Sequence, residues 1–210
     1  MEKLKSKRPI RLHTGEKWTT NKTNKKYLDI DFDHKCGYCD DHHSYSGGFR
    51  SYHVDHFAPK EKFGALKYTY DNLIYCCPYC NTSKSDKWVG KTPEENIVVD
   101  KGFIDPCSEE YEKHLCRYAD GRIKHITPIG EYMYNELKLY LKRHQIIYNL
   151  EKLKGKIEKL KEIITSKNVE DPEYVMLKDI YAELCVTFYD YYNLLNEEGE
   201  EKDCLYALNA

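Results

Sequence analysis

The 210-residue sequence predicts an α+β protein, in which a small strand–loop–strand–helix unit stapled by metal precedes a mainly α-helical C-terminal region, an antiparallel helical hairpin. Three observations predict it. Two Cys-x-x-Cys pairs, Cys36-Gly37-Tyr38-Cys39 and Cys77-Pro78-Tyr79-Cys80, stand 37 residues apart. Two short segments with strand character lie between them. Beyond residue 130, two apolar stripes step by three and four residues, the spacing of packed helices.

Composition removes several classes. Hydrophobic residues make up 40% and charged residues 32%, and 20 Tyr, 6 Phe and 2 Trp supply large side chains for a core. No run approaches the ~20 apolar residues of a membrane span. The opening MEKLKSKRPI has no apolar stretch of a secretory signal, so a cytoplasmic protein with no membrane partner is expected. In that compartment disulfides are rare, and nine cysteines at paired spacing point to metal. The net charge of −2 hides a gradient. Residues 1–26 hold nine Lys/Arg against two Glu, and residues 168–210 hold two Lys against eleven Asp/Glu. The first segment is expected to be an extended, basic N-terminal arm that neutralises phosphates, with Lys3, Lys5, Lys7 and Arg8 at its head.

The knuckles come next. Two residues between cysteines let both thiolates turn toward one ion, so Cys36, Cys39, Cys77 and Cys80 form a structural Zn²⁺ site with no open position. Cys76 competes, but only Cys77 has the two-residue spacing to Cys80. His34, His42 and His43 crowd the first knuckle, yet four thiolates already complete a tetrahedron. Between the knuckles, residues 49–57 alternate as a strand after the Ser46-Gly47-Gly48 turn, and Pro59 ends it. Alternation puts His53 and Asp55 on one face and His56 on the other, so Asp55 and His56 converge only if the strand ends or bulges there. Residues 71–75 make a second strand running into Cys77. Pro78 suits a first helical position, which predicts a helix to about Trp88 with Asn81 and Lys84 on one face.

Asp55-His56, then Asn72, then Cys-x-x-Cys-Asn81-x-x-Lys84 resembles the HNH endonuclease signature in its four-cysteine zinc form. The resemblance implies a ββα-metal core over residues 27–105 and hydrolysis of phosphodiester bonds in nucleic acid, usually DNA. It implies that His56 is the general base, that Asn72 holds the loop in place, and that Asp55 and Asn81 bind a catalytic Mg²⁺ or Mn²⁺. Asn81 stands where many members have His, which suits a hard oxygen-seeking ion over softer metals. His53 is a third metal ligand, a phosphate contact or a surface residue, and Lys84 and Lys60 are candidates for phosphate contact. Cleavage of RNA, and a zinc-stabilised module without catalysis, are the rival readings. Further on, residues 104–115 and 120–143 resemble HNH nucleases of bacterial anti-phage systems of the Septu and retron-associated type, which implies an ATPase partner subunit.

The remaining chain is expected to be helical. A connecting segment, 106–130, leads into a hairpin region, 131–210, with an acidic end at 197–203. Residues 130–166 read as one long helix or two, with Leu150, Leu153, Ile157, Leu160 and Ile164 forming one stripe. Tyr174, Leu177, Tyr181, Leu184, Phe188, Tyr191 and Leu195 form the other. Asp171-Pro172 marks the start of the second helix. The stripes pack on each other and on the core, or one docks a partner or a second copy.

Overall fold

The structure, a computed structural model, describes residues 2–14 and 20–200. In chain order its elements are β1 (Glu2–Lys3), α1 (Asn21–Asp31), β2 (His53–His56), β3 (Leu73–Cys76), α2 (Pro78–Lys84), β4 (Ile97–Val98), β5 (Lys101–Gly102), β6 (Leu115–Arg117), β7 (Ile123–His125), α3 (Pro128–Glu136), α4 (Lys142–Ser166) and α5 (Pro172–Glu200). The chain divides between Tyr140 and Leu141 into two compact units. No described helix is long and apolar enough to cross a membrane.

In the first unit, β2 and β3 pair antiparallel with His53 opposite Cys76 and His56 opposite Leu73. β2 is shorter than the expected 49–57. Gly47 and Gly48 both take positive φ, and the turn they open runs through residue 51 before extended pairing begins. All four residues of β3 are fully buried, as expected of a strand covered on both faces. α2 starts on Pro78 and stops at Lys84, short of Trp88, because Ser85 takes a φ of +50°.

The arm does not lie free. β1 pairs with β6, and β6 pairs with β7, in a three-stranded antiparallel sheet. Leu4 is fully buried in the core with Leu28, Tyr38, Tyr75, Phe103 and Tyr111. The backbone amides of Leu4 and Lys5 donate to the Glu112 carboxylate at 2.9 and 3.2 Å. Lys5 is buried too, its Nζ donating to Pro106 O at 2.7 Å and sitting 3.6 Å over the Tyr111 ring. Arg11 pairs with Asp105 at 2.8 Å, and Arg8 with Glu109 at 3.0 Å. Counting charge overlooked one apolar anchor, Leu4, and the open edge of β6 that receives the strand. Residues 15–19 lie outside the described residues, and residues 21–26 belong to α1.

Arg117 explains how sheet and knuckle are joined. It is 1% exposed, and its guanidinium donates to Leu4 O at 3.2 Å, Gly121 O at 2.7 Å and Cys39 O at 2.7 Å. A planar fork with five donors can satisfy three carbonyls at once, which a lysine in the same place cannot do with the same geometry. Residues 106–130 add Tyr111, Leu115 and Ile123 to the core.

The second unit is a helical hairpin. α4 and α5 are joined by five residues, and the Asp171 carboxylate caps α5 by accepting from Glu173 N at 2.9 Å. The stripes are the covered faces. Leu153, Ile157, Leu160 and Ile164 on α4 and Tyr174, Leu177, Tyr181, Leu184, Phe188 and Tyr191 on α5 are half-buried, while Val175, Met176, Val186 and Tyr189 are exposed. A break after Glu136, with Lys138 at φ +53°, separates α3 from α4, so residues 130–166 hold two helices rather than one. The acidic end beyond residue 200 lies outside the described residues.

Burial pushes the Lys5 ammonium down from 10.5 to about 8, against the attraction of Cys107 and Glu112. Between those two values the unfolded chain binds more protons than the folded one, so stability contributed at Lys5 rises with pH across that window. Urea unfolding of wild type and Lys5→Met should therefore show a stability difference that shifts toward wild type between pH 7.5 and pH 10. A difference that stays flat across that range would contradict the burial.

Candidate functional site

Cys36 and Cys39 close a tight turn docked on β3, where Gly37 N donates to Tyr75 O at 2.9 Å. Only glycine fits there: a Cβ at residue 37 would lie 2.7 Å from the Phe32 ring and 2.8 Å from Ile74 Cγ2. Cys77 caps α2, its sulfur accepting from Cys80 N at 3.4 Å, so the second pair sits on the first turn of that helix. The sulfurs of Cys36, Cys39, Cys77 and Cys80 all lie within 4.8 Å of one another, and all four residues are buried. Cys39 Sγ and Cys77 Sγ are 3.8 Å apart. A tetrahedron with Zn–S bonds of about 2.3 Å has edges of about 3.8 Å, so the cluster can hold a zinc ion. Cys76 lies outside the quartet, its thiol turned to Cys77 O at 3.4 Å.

Above this cluster β2 ends at His56, and an open cleft of about 590 Å³ is lined by His53, Asp55, His56, Lys60 and Asn81 among others. Ending the strand there lets neighbours on opposite faces serve one cleft. Asp55 is 5% exposed and accepts from Tyr38 OH at 2.7 Å and from Lys84 Nζ at 3.0 Å. Burial raises its carboxyl pKa, and Lys84 and Tyr38 oppose that rise. His56 Nε2 lies 2.9 Å from Lys67 O. A carbonyl can only accept, so Nε2 carries the proton and Nδ1 keeps its lone pair. Burial lowers the imidazole pKa, with the Lys67 carbonyl pulling the other way, and the ring stays neutral and basic at neutral pH.

Asn72 clamps the chain just after His56. Its Oδ1 accepts from Ala58 N at 2.8 Å and its Nδ2 donates to Ala58 O at 2.9 Å. Asn72 O also accepts from Phe57 N at 2.8 Å. Asn81, three residues into α2, and exposed His53 share the cleft with Asp55 and His56. Lys60 stands at the rim, 42% exposed and 3.7 Å from Glu61. Lys84 does not belong with it. The sequence places Lys84 with the phosphate contacts, but its side chain is fully buried, donating to Asp55 and, at 2.8 Å, to His56 O. The helical spacing from Asn81 was right, but that face of α2 turns inward.

Residues 36–87 match the family model for HNH endonuclease. The match covers about a quarter of the chain. No curated protein and no solved structure gives a significant match. Within the HNH segment, sequence reasoning overlooked three contributions. Tyr38 is the knuckle's aromatic filler and also a donor to Asp55; Lys67 fixes the His56 tautomer through its carbonyl; and Glu61 and Asp86 add carboxylates to the cleft lining. The aromatic inside Cys-x-x-Cys was the only signal available, since a backbone carbonyl leaves no trace in a sequence.

Two outcomes follow from this geometry. Cys80→Ser should lose the bound zinc and, with it, the folded unit, checked by metal content and circular dichroism; a soluble mutant with an unchanged spectrum would refute a structural role. Tyr38→Phe should keep the zinc but lose about 1.5–3 kcal/mol of stability in denaturant titration, the usual worth of a hydrogen bond to a charged group.

Proposed function

We propose that the chain is a metal-dependent endonuclease that hydrolyses phosphodiester bonds in nucleic acid, with DNA as its substrate, and that His56 is its general base. One observation carries the reading: a buried, neutral imidazole with its Nε2 proton committed to Lys67 O shares a cleft with a carboxylate and an amide that suit a hard cation.

His56 Nδ1 takes the proton from an attacking water, and the lowered pKa keeps that nitrogen free at cellular pH. Asn72 fixes residues 57–58 and so holds His56 at the strand end. Asp55 and Asn81 are the residues that would hold Mg²⁺ or Mn²⁺, which when bound neutralises charge on the phosphoryl oxygens and the leaving oxygen. Lys84 acts through Asp55, keeping it ionised and fixed, rather than through phosphate. Lys60 and His53 remain at the cleft for the substrate backbone. Water attack does not need a 2′-hydroxyl, and DNA is favoured over RNA by the family resemblance alone.

The proposal extends to an effector nuclease of a bacterial anti-phage system, acting in the cytoplasm beside an ATPase partner. The support is the resemblance of residues 104–115 and 120–143, which supply Tyr111, Leu115, Ile123 and Met133 to the core.

Plasmid, linear DNA and tRNA incubated with Mg²⁺ or Mn²⁺ test the activity. Wild type should cut DNA, and His56→Ala should cut at least ~100-fold more slowly, the lower bound for losing a general base. Equal cleavage by the mutant would remove His56 from its role, and cleavage of tRNA alone would move the substrate to RNA.

A further inference from the structure

Away from the cleft, α1, the turn after it and the first knuckle bring three more ligand types together. His34 Nδ1 lies 3.0 Å from Asp29 Oδ2, and His43 Nδ1 lies 3.1 Å from Asp29 Oδ1. One ligand atom from each of the three residues falls within 4.8 Å of the others. We propose that Asp29, His34 and His43 form a second metal site, separate from the four cysteines and from the cleft, that takes a transition ion of the Zn²⁺ class.

The distances fit. Donors bound at about 2.1 Å to one ion stand about 3.0–3.4 Å apart, depending on whether the geometry is octahedral or tetrahedral. The carboxylate is the common neighbour of both imidazoles. Asp29 Oδ1 is buried, with His43 Nδ1 at 3.1 Å and the Tyr75 hydroxyl also hydrogen-bonding the carboxylate.

The backbone holds the three residues in place before any ion arrives. His34 N donates to Asp29 O at 2.8 Å, and His43 N donates to His34 O at 2.9 Å. Lys35 and His42 bridge between the same two segments. Tyr75 OH on β3 lies 2.9 Å from the same His43 Nδ1, a contact that an ion at this nitrogen replaces. His42 lies edge-on beside both histidines, with its Nδ1 2.8 Å from Ser44 Oγ, and is not one of the three grouped donors.

Donor chemistry selects the ion. Two imidazoles and one carboxylate favour Zn²⁺, Co²⁺, Ni²⁺ or Fe²⁺ over Mg²⁺ or Ca²⁺. The His34 side chain is 47% exposed, which gives the ion an entry path, and three protein ligands leave further positions for water. An ion here pins the end of α1 to the loop that carries the first knuckle.

The test uses the full chain. Wild type, His34→Asn, His43→Asn and His125→Asn are dialysed to equilibrium against micromolar Zn²⁺, and metal per chain is measured. Asn suits residue 34 because it tolerates the left-handed φ of +62° found there. His34→Asn and His43→Asn should each carry one zinc ion fewer than wild type, while His125→Asn, on β7 and in no donor group among the described residues, carries the wild-type number. Equal zinc in wild type and His34→Asn overturns the site. X-ray absorption of zinc-loaded wild type keeps the test sound if a variant misfolds. Imidazole scattering beside the sulfur shell supports the site, and a zinc spectrum without imidazole overturns it.

Discussion

Four sulfurs decide whether this cleft exists. β2 and β3 pair over four residues each and α2 has seven, all too short to stand alone. Bringing Cys36 and Cys39 against the first turn of α2 closes that unit, and the rest is hung from it. Tyr38, between the two cysteines, reaches Asp55 with its hydroxyl and accepts from Tyr111 OH on its carbonyl at 2.8 Å. Cys39 O accepts from Arg117, which also holds the N-terminal strand. Strand, connecting segment and cleft are thus all referred to one knuckle.

Asp55 shows what the arrangement does to charge. A carboxylate this buried would favour its neutral form, and the Lys84 ammonium beneath it opposes that. The pair is close to neutral as seen from the cleft. A divalent ion bound there gains less from Asp55 than a bare carboxylate would offer, so the other oxygens count for more: Asn81, Glu61, Asp86 and the substrate phosphate itself. Lys84 is therefore a structural partner of Asp55, the proposed metal ligand, and removing it would leave a buried charge unpaired.

Much of this was legible in the amino-acid sequence, for physical reasons. Cysteine spacing is set by tetrahedral geometry, so Cys36, Cys39, Cys77 and Cys80 could be separated from Cys76 by counting alone. Helix periodicity marked the covered faces of α4 and α5 residue by residue. What stayed hidden depends on the third dimension. Whether Lys84 faces solvent or Asp55 is settled by what packs on α2. Whether Lys5 is an arm cation or a buried amine is settled by an edge strand more than a hundred residues away. Asp29, His34 and His43 spread over fifteen residues with no motif spacing, and they meet because His34 turns back onto the end of α1.

The arm also changes the electrostatics of the molecule. Its excess of positive charge looked like a field free to meet phosphate. Lys5 is sunk against Pro106 and Tyr111 and Arg11 is paired with Asp105 within the fold, while Arg8 meets Glu109 at the surface. Near β2, among the described residues, Lys60 stands at the cleft rim, and the charge of Lys25 reaches His53 from α1 while its amine donates to Arg50 O at 3.4 Å. On the proposed nuclease reading, charge neutralisation at a scissile phosphate is supplied in part by the bound ion. On that reading a net charge of −2 does not bar a nucleic-acid substrate, because positive charge arrives with the metal.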